Sequence, residues 1–194
     1  MRVLPTVSEK TKIRLLGGIG RRRRLRGQIC AERDRLYRIA WSWCHDSHQA
    51  DDLAQETLAR ALARIDSLRE EGRLRVWLTQ ILANLYHDQF RRAAPETGLD
   101  SDALPGRDDP EQAANRTQLI ARTRDAIERL SDEQRQVLTL IDVAGFSYAD
   151  TATVLDVPVG TVMSRLSRAR RRMREILEGQ GIGNSDVVPL RRPG

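Results

Sequence analysis

The chain has 194 residues, of which 31% are charged and only 4% aromatic, and it carries a net charge of +6. That length holds one large or two small domains, and so few aromatics favour small helical modules over a sandwich or barrel. The cationic excess suits a polyanionic partner, although 31 of the 33 basic residues are arginine, a bias that a GC-rich genome also produces. Two cysteines, Cys30 and Cys44, make no disulfide framework and fit a reducing compartment. The opening MRVLPTVSEKTKIRLLGG lacks an apolar core of signal-peptide length, and no run approaches the ~18 apolar residues of a membrane span. The expectation is a cytoplasmic protein without membrane insertion.

Residues 1–27 are polar and basic, with four consecutive arginines from Arg21 to Arg24, and read as a flexible arm. Contact with nucleic acid is one use for such an arm; an idle basic tail is the plainer one. Over residues 28–93 three helical stripes follow: Leu36, Ile39, Ala40 and Trp43; then Leu53, Thr57, Leu58, Ala61, Leu62 and Ile65; then Trp77, Leu78, Ile81, Leu82 and Leu85. Residues 94–115 lose all periodicity and combine Pro95, Gly98, Pro105, Gly106 and Pro110 with six carboxylates, as an acidic flexible linker does. Periodicity returns over 116–178, where Ser131 and Gln134 form a capping box ahead of Val137, Leu138, Leu140 and Ile141. The tail, 179–194, has no pattern. The fold class is therefore all-α, with two small helical domains joined by a tether.

The most specific stretch runs from Gly145 to Met173. Ser147 is an N-cap with Asp150 three residues on, and Ala149, Ala152 and Leu155 mark an inward face. Asp156 stands at a turn where left-handed backbone is tolerated, followed by Pro158 and Gly160. Val162, Leu166, Ala169 and Met173 then make the inward stripe of a second helix whose outward face carries Ser164, Arg165, Ser167, Arg168, Arg171 and Arg172. Short helix, tight turn and arginine-rich helix are the parts of a helix-turn-helix DNA reader. Arginine-rich amphipathic helices with merely solvated faces are common, so position along the chain matters.

Upstream, Asp52, Gln55 and Glu56 fall at i, i+3 and i+4 on one helix face beside Asp51 and Leu53. Further on, Trp77 precedes Asn84, Asp88, Arg91 and Arg92. Core packing is the plain role for Trp77; stacking on a base is the sharper one.

In this order the segments DDLAQETLARA, RVWLTQILANLYHDQFRR and SYADTATVLDVPVGTVMSRLSRAR resemble those of bacterial RNA polymerase sigma factors, specifically the extracytoplasmic-function group. The resemblance implies two helical domains, sigma-2-like and sigma-4-like. Asp51, Asp52, Leu53, Gln55 and Glu56 would dock on core RNA polymerase. Trp77, Asn84, Asp88, Arg91 and Arg92, with the loop from Ser67 to Arg73, would surround the melted −10 strand of promoter DNA. Thr161, Ser164, Arg165, Arg168 and Arg171 would contact the −35 duplex, and the linker would follow the polymerase's RNA path. An anti-sigma factor is an implied partner. Met163 departs from the family pattern, which usually has Lys or Arg there; Asp156 replaces a common glycine, and Ala54 and Leu58 replace bulkier residues.

Two other readings compete. A free-standing helix-turn-helix regulator explains the C-terminal helices and leaves the DDLAQET face without a purpose. A zinc site from Cys44, His45 and His48, with Cys30, has irregular spacing, so a buried cysteine with surface histidines is the plainer account. No nucleotide-binding loop, nucleophile elbow or catalytic cluster is present, so neither enzymatic activity nor a cofactor or metal is expected.

Overall fold

The computed structural model describes the backbone of residues 9–92 and 120–180, and the side chains of 20–89 and 120–180. The linker expected over 94–115, residues 1–8, and the tail beyond residue 180 lie outside the described residues. All regular structure among the described residues is helical: α1 (Glu9–Ala31), α2 (Arg33–Cys44), α3 (Ser47–Ala63), short 3-10 turns at Ile65–Ser67 and Glu71–Arg73, then α4 (Leu74–Arg92). After the linker come α5 (residues 120–128 of its described part), α6 (Asp132–Leu138), a wide π turn (Thr139–Val143), α7 (Tyr148–Leu155) and α8 (Val159–Gly179).

The basic run at the N-terminus differs from expectation. Residues 20–27 continue α1 rather than forming a flexible arm, because Leu25 and Ile29, one turn apart, are fully buried in the core. Arginine is itself a good helix former, and its cations here find partners. Arg21 donates to the Leu68 carbonyl at 2.8 Å and to Glu71 at 3.1 Å, Arg24 donates to both Glu71 oxygens at 3.0 and 3.1 Å, and Arg22 donates to Asp66 at 2.8 Å. Two anchor side chains and three charged ones thus tie α1 to the loop between α3 and α4.

The three expected stripes form the first unit. Leu36, Ile39, Ala40 and Trp43 of α2 meet Ala50, Leu53, Ala54, Thr57 and Ala61 of α3. Leu78, Leu82, Leu85 and Tyr86 of α4 complete it. Small residues on α3 let its backbone approach α2 closely. His45 ends α2 in left-handed conformation (φ 55°), and Asp46 then caps α3 by accepting from the Gln49 amide at 2.8 Å.

In the second unit the turn chemistry is as expected at two caps and differs at a third. Ser147 accepts from the Asp150 amide at 3.0 Å and donates to its carboxylate at 2.8 Å, and Asp156 takes φ 52°, ψ 49°. Ser131 stands at the N-cap of α6, but its side chain caps nothing, so no capping box forms; Asp132 and Glu133 complement that helix end instead. Ala149 is exposed, and Thr151 and Val154 join Ala152 and Leu155 on the buried face of α7. The π turn returns through Gly145 (φ 73°), where only glycine is unstrained. Arg170 of α8 holds the buried Asp142 of that turn with bonds of 2.5 and 3.1 Å, an ion pair that orients α8.

The two units do not stand apart. Their apolar residues form one continuous cluster, with α7 on α4 and both α6 and the π turn on α2. The Trp43 carbonyl accepts from Tyr86 at 3.1 Å and from Arg135 of α6 at 3.2 Å; Arg35 bonds the Ala144 carbonyl and lies 5.3 Å from the Phe146 ring. His45 sits at this join, edge-on to Trp41 at 5.5 Å and 3.5 Å from Glu128 without a hydrogen bond to either ring nitrogen. Burial first, and the Arg135 guanidinium second, push its pKa down to about 4.

Leu25→Ala should cost about 2–5 kcal/mol in urea denaturation, as large-to-small core changes do, while Arg23→Ala leaves the midpoint unchanged; equal midpoints for both would return α1 to the status of an idle arm. Acid should weaken the join. Between pH 6.5 and 4 the unfolded chain binds the His45 proton and the folded chain does not, so stability falls as pH drops through that window. In thermal melts, His45→Asn, whose side chain tolerates left-handed backbone, should flatten that slope; a slope as steep as wild type's would exclude His45 as its source.

Candidate functional site

The chemistry-bearing residues collect on three surfaces. On α3, Asp52, Gln55 and Glu56 form an exposed face. Asp51 borders it, held by Arg33 at 2.5 Å and accepting from Gln55 at 2.6 Å, while Glu56 takes Arg60 at 2.7 Å. Among the described residues Asp52 has no ion-pair partner, and its exposed side chain presents its charge outward. Leu53 does not belong to that face: it is fully buried and supports it from beneath. One residue of offset along the helix is enough to turn a side chain by about 100°.

The second surface is on α4. Trp77 is half-buried against the core, in keeping with its plainer role, and Asn84 is exposed. Arg91 and Arg92 close α4, and their side chains lie outside the described residues. The loop before α4 is held in place by Arg21 and Arg24, as described, and its last residue, Arg73, reaches Asp150 of α7 at 3.4 Å. This bracing escaped the sequence reading. Its one signal was the apolar pair Leu25 and Ile29 at i, i+4 inside a basic run.

The third surface is α8. Val162, Leu166 and Ala169 are buried as the stripe requires, with Ser164, Ser167, Arg168, Arg171 and Arg172 exposed. Arg168 lies along the helix, donating to the Ser164 carbonyl at 3.2 Å and hydroxyl at 3.3 Å; Ser164 donates to the Thr161 carbonyl at 3.0 Å. Arg171 lies 3.8 Å from Glu175 and stays well exposed. Arg165 departs from the outward set. It is bound to Glu133 of α6 at 2.6 Å and is only 20% exposed.

Arg165 instead lines a cleft of about 850 Å³ between the units, together with Asn84, His87 and Asp88 of α4 and Asp132, Glu133 and Gln136 of α6. His87 and Gln136 bridge it at 3.1 Å. Residues assigned to two different DNA elements therefore face one cleft. Sequence order could not reveal this, because the cleft exists only where the units meet.

Cys44 is held by burial as a thiol, its pKa pushed up to about 11, and donates to the Asp46 carbonyl at 3.3 Å; Cys30 is exposed. Among the described residues no three His, Cys, Asp or Glu side chains are grouped to hold a metal ion. No helix among them is long and apolar enough to cross a membrane.

Two protein-family descriptions match the chain: Sigma-70 region 2 over residues 29–96, and Sigma-70, region 4 over residues 120–173. The chain is 37% identical over 169 residues to the ECF RNA polymerase sigma factor EcfG of Rhodopseudomonas palustris, covering 84% of this chain and 92% of that one. It is also 37% identical over 143 residues to the ECF RNA polymerase sigma factor SigM of Mycobacterium tuberculosis, 73% and 71% of the two chains. Among solved structures, the sigma factor RpoE of Bartonella quintana, in complex with the anti-sigma factor NepR, matches with TM-score 0.66 and 30% identity over 79% of this chain and 96% of that one. CnrH in complex with the cytosolic domain of CnrY matches with TM-score 0.59 and 25% identity, covering 81% and 90%.

Proposed function

The chain belongs to the sigma-70 family of RNA polymerase sigma factors, in its extracytoplasmic-function group, and we propose a division of labour among its surfaces on that basis. It binds core RNA polymerase and directs initiation at specific promoters; the polymerase, not this chain, supplies the chemistry. The observation that carries this is the match of both regions, in order, with a relative covered over 92% of its length. A free-standing helix-turn-helix regulator leaves the region 2 match unexplained.

In this reading the exposed Asp52, Gln55 and Glu56 dock on polymerase, Asp51 and Leu53 holding that face in shape. The α4 surface around Asn84 and Asp88, ending at Arg91 and Arg92, takes the melted −10 strand, with the braced loop from Ser67 to Arg73 beside it. Trp77 supports α4. Thr161, Ser164, Arg168 and Arg171 meet the −35 duplex, where exposed arginines suit phosphates and base edges. Arg165, committed to Glu133, ties α6 to α8 and reaches DNA only when that pair opens. The linker over 94–115 joins the two DNA-reading units, and all of this takes place in the cytoplasm.

Distance requires the units to separate for this work. The two promoter elements lie about 25 base pairs apart, or roughly 85 Å at 3.4 Å per pair. A chain whose Asn84 and Arg165 line a single cleft cannot span that. The packed arrangement is then a resting form, and polymerase holds the open one. Both matched structures hold a partner, the anti-sigma factor NepR on the sigma factor RpoE and the cytosolic domain of CnrY on CnrH. A partner of that kind is proposed here too, acting on the same two units.

Asp52→Arg or Glu56→Arg should abolish capture of core polymerase in a pull-down while leaving the thermal melt unchanged; normal capture would refute the docking face. Arg168→Ala should retain polymerase binding and lose promoter affinity by roughly 5- to 150-fold, the range of 1–3 kcal/mol for a base contact. Asn84→Ala should slow open-complex formation, followed by permanganate reactivity, more than closed-complex binding. Equal losses in the two steps would remove it from the melting surface.

A further inference from the structure

Among the described residues only four large apolar side chains are exposed, and two of them, Val159 (42%) and Met163 (55%), lie one turn apart at the start of α8. Their surroundings there are unusual for an arginine-rich helix. Gly160 adds no side chain, and a Cβ built on it would meet nothing within 4 Å. Ser164 and Ser167 are short. Arg165 is turned away to Glu133, and Arg168 lies back along Ser164. The first two turns of α8 therefore expose an apolar and hydroxyl surface, and the exposed cations Arg171, Arg172 and Arg174, the first two beside Glu175, follow only in later turns.

We propose that Val159 and Met163 form an apolar contact for the 5-methyl group of a thymine in the −35 duplex, and so set the base preference there. This rests on the reading of α8 as the −35 recognition helix. The N-terminal residues of such a helix face base edges in the major groove, while flanking cations engage phosphates. Among the groups that base pairs display in that groove, the thymine methyl is the apolar one. The charge pattern of α8 matches that layout: apolar where base edges come, cationic where phosphates come. Methionine, unbranched and polarisable, adapts its shape to such a group.

The test uses holoenzyme reconstituted from the full chain and core polymerase. Promoter fragments are first selected from genomic DNA. The strongest −35 duplex is then synthesised with each thymine in turn replaced by deoxyuridine, which keeps pairing and removes only the methyl. At one or two positions this should weaken wild-type binding about fourfold, equivalent to about 0.8 kcal/mol for one buried methyl-sized group. The Val159→Ala/Met163→Ala variant, its fold checked by circular dichroism, should bind thymine and deoxyuridine duplexes equally. If wild-type holoenzyme selects no −35 sequence, the recognition-helix reading falls and the proposal with it. If a −35 sequence is selected but deoxyuridine has no effect, or the effect persists undiminished in the variant, the proposal alone is overturned. Loss of polymerase binding in the variant would assign the patch to a protein contact and overturn it as well.

Discussion

The carbonyl oxygen of Trp43 is where the two units are joined. It belongs to the last turn of α2, whose final carbonyls have no partner within the helix. Tyr86 of α4 and Arg135 of α6 both donate to it, one from each side of the join. The Trp43 ring is buried beside Tyr86, at 5.3 Å between centroids, so the polar junction sits on an apolar base. Leaving either donor buried without an acceptor costs about 1–3 kcal/mol, which makes the join cooperative. His45, capping the same helix end, places an uncharged ring there as well.

A shared core of this kind has a functional consequence. Promoter reading by the proposed surfaces needs the units far apart, whereas apolar burial between α4 and α7 draws them together. Contacts in the join are modest in reach and mixed in character: an arginine over Phe146, another over Trp41 at 5.0 Å, a histidine–glutamine bridge. Such an interface resembles the polar joins between domains that move. Polymerase docking through α3, on the opposite side of this balance, would supply the energy that keeps the units apart.

The arginines divide by partner more than by position. Arg21, Arg24, Arg135, Arg165 and Arg170 are committed to carboxylates or carbonyls within the chain and set the geometry of loops and helices. Arg168 and Arg171 find partners only within their own helix, and they are the cations proposed for DNA. That division also explains why the start of α8 is so poor in free charge, which is the condition the proposed thymine contact relies on.

Much of this was legible in the chain itself. Helical stripes, the Ser147 cap and the left-handed Asp156 follow from interactions within four residues, so sequence spacing determines them. The family resemblance rests on the same local segments. What spacing cannot supply is the partner that a side chain meets from a distant element. Leu53 is buried because α2 and α4 close over it, and Arg165 turns from DNA because Glu133, 32 residues away in sequence, arrives beside it. The basic arm became part of α1 because Leu25 and Ile29 found a core whose other walls lie beyond it. Local backbone preference and periodicity were written in the sequence; which charges pair, and whether the two units share a core, was decided only when the helices packed.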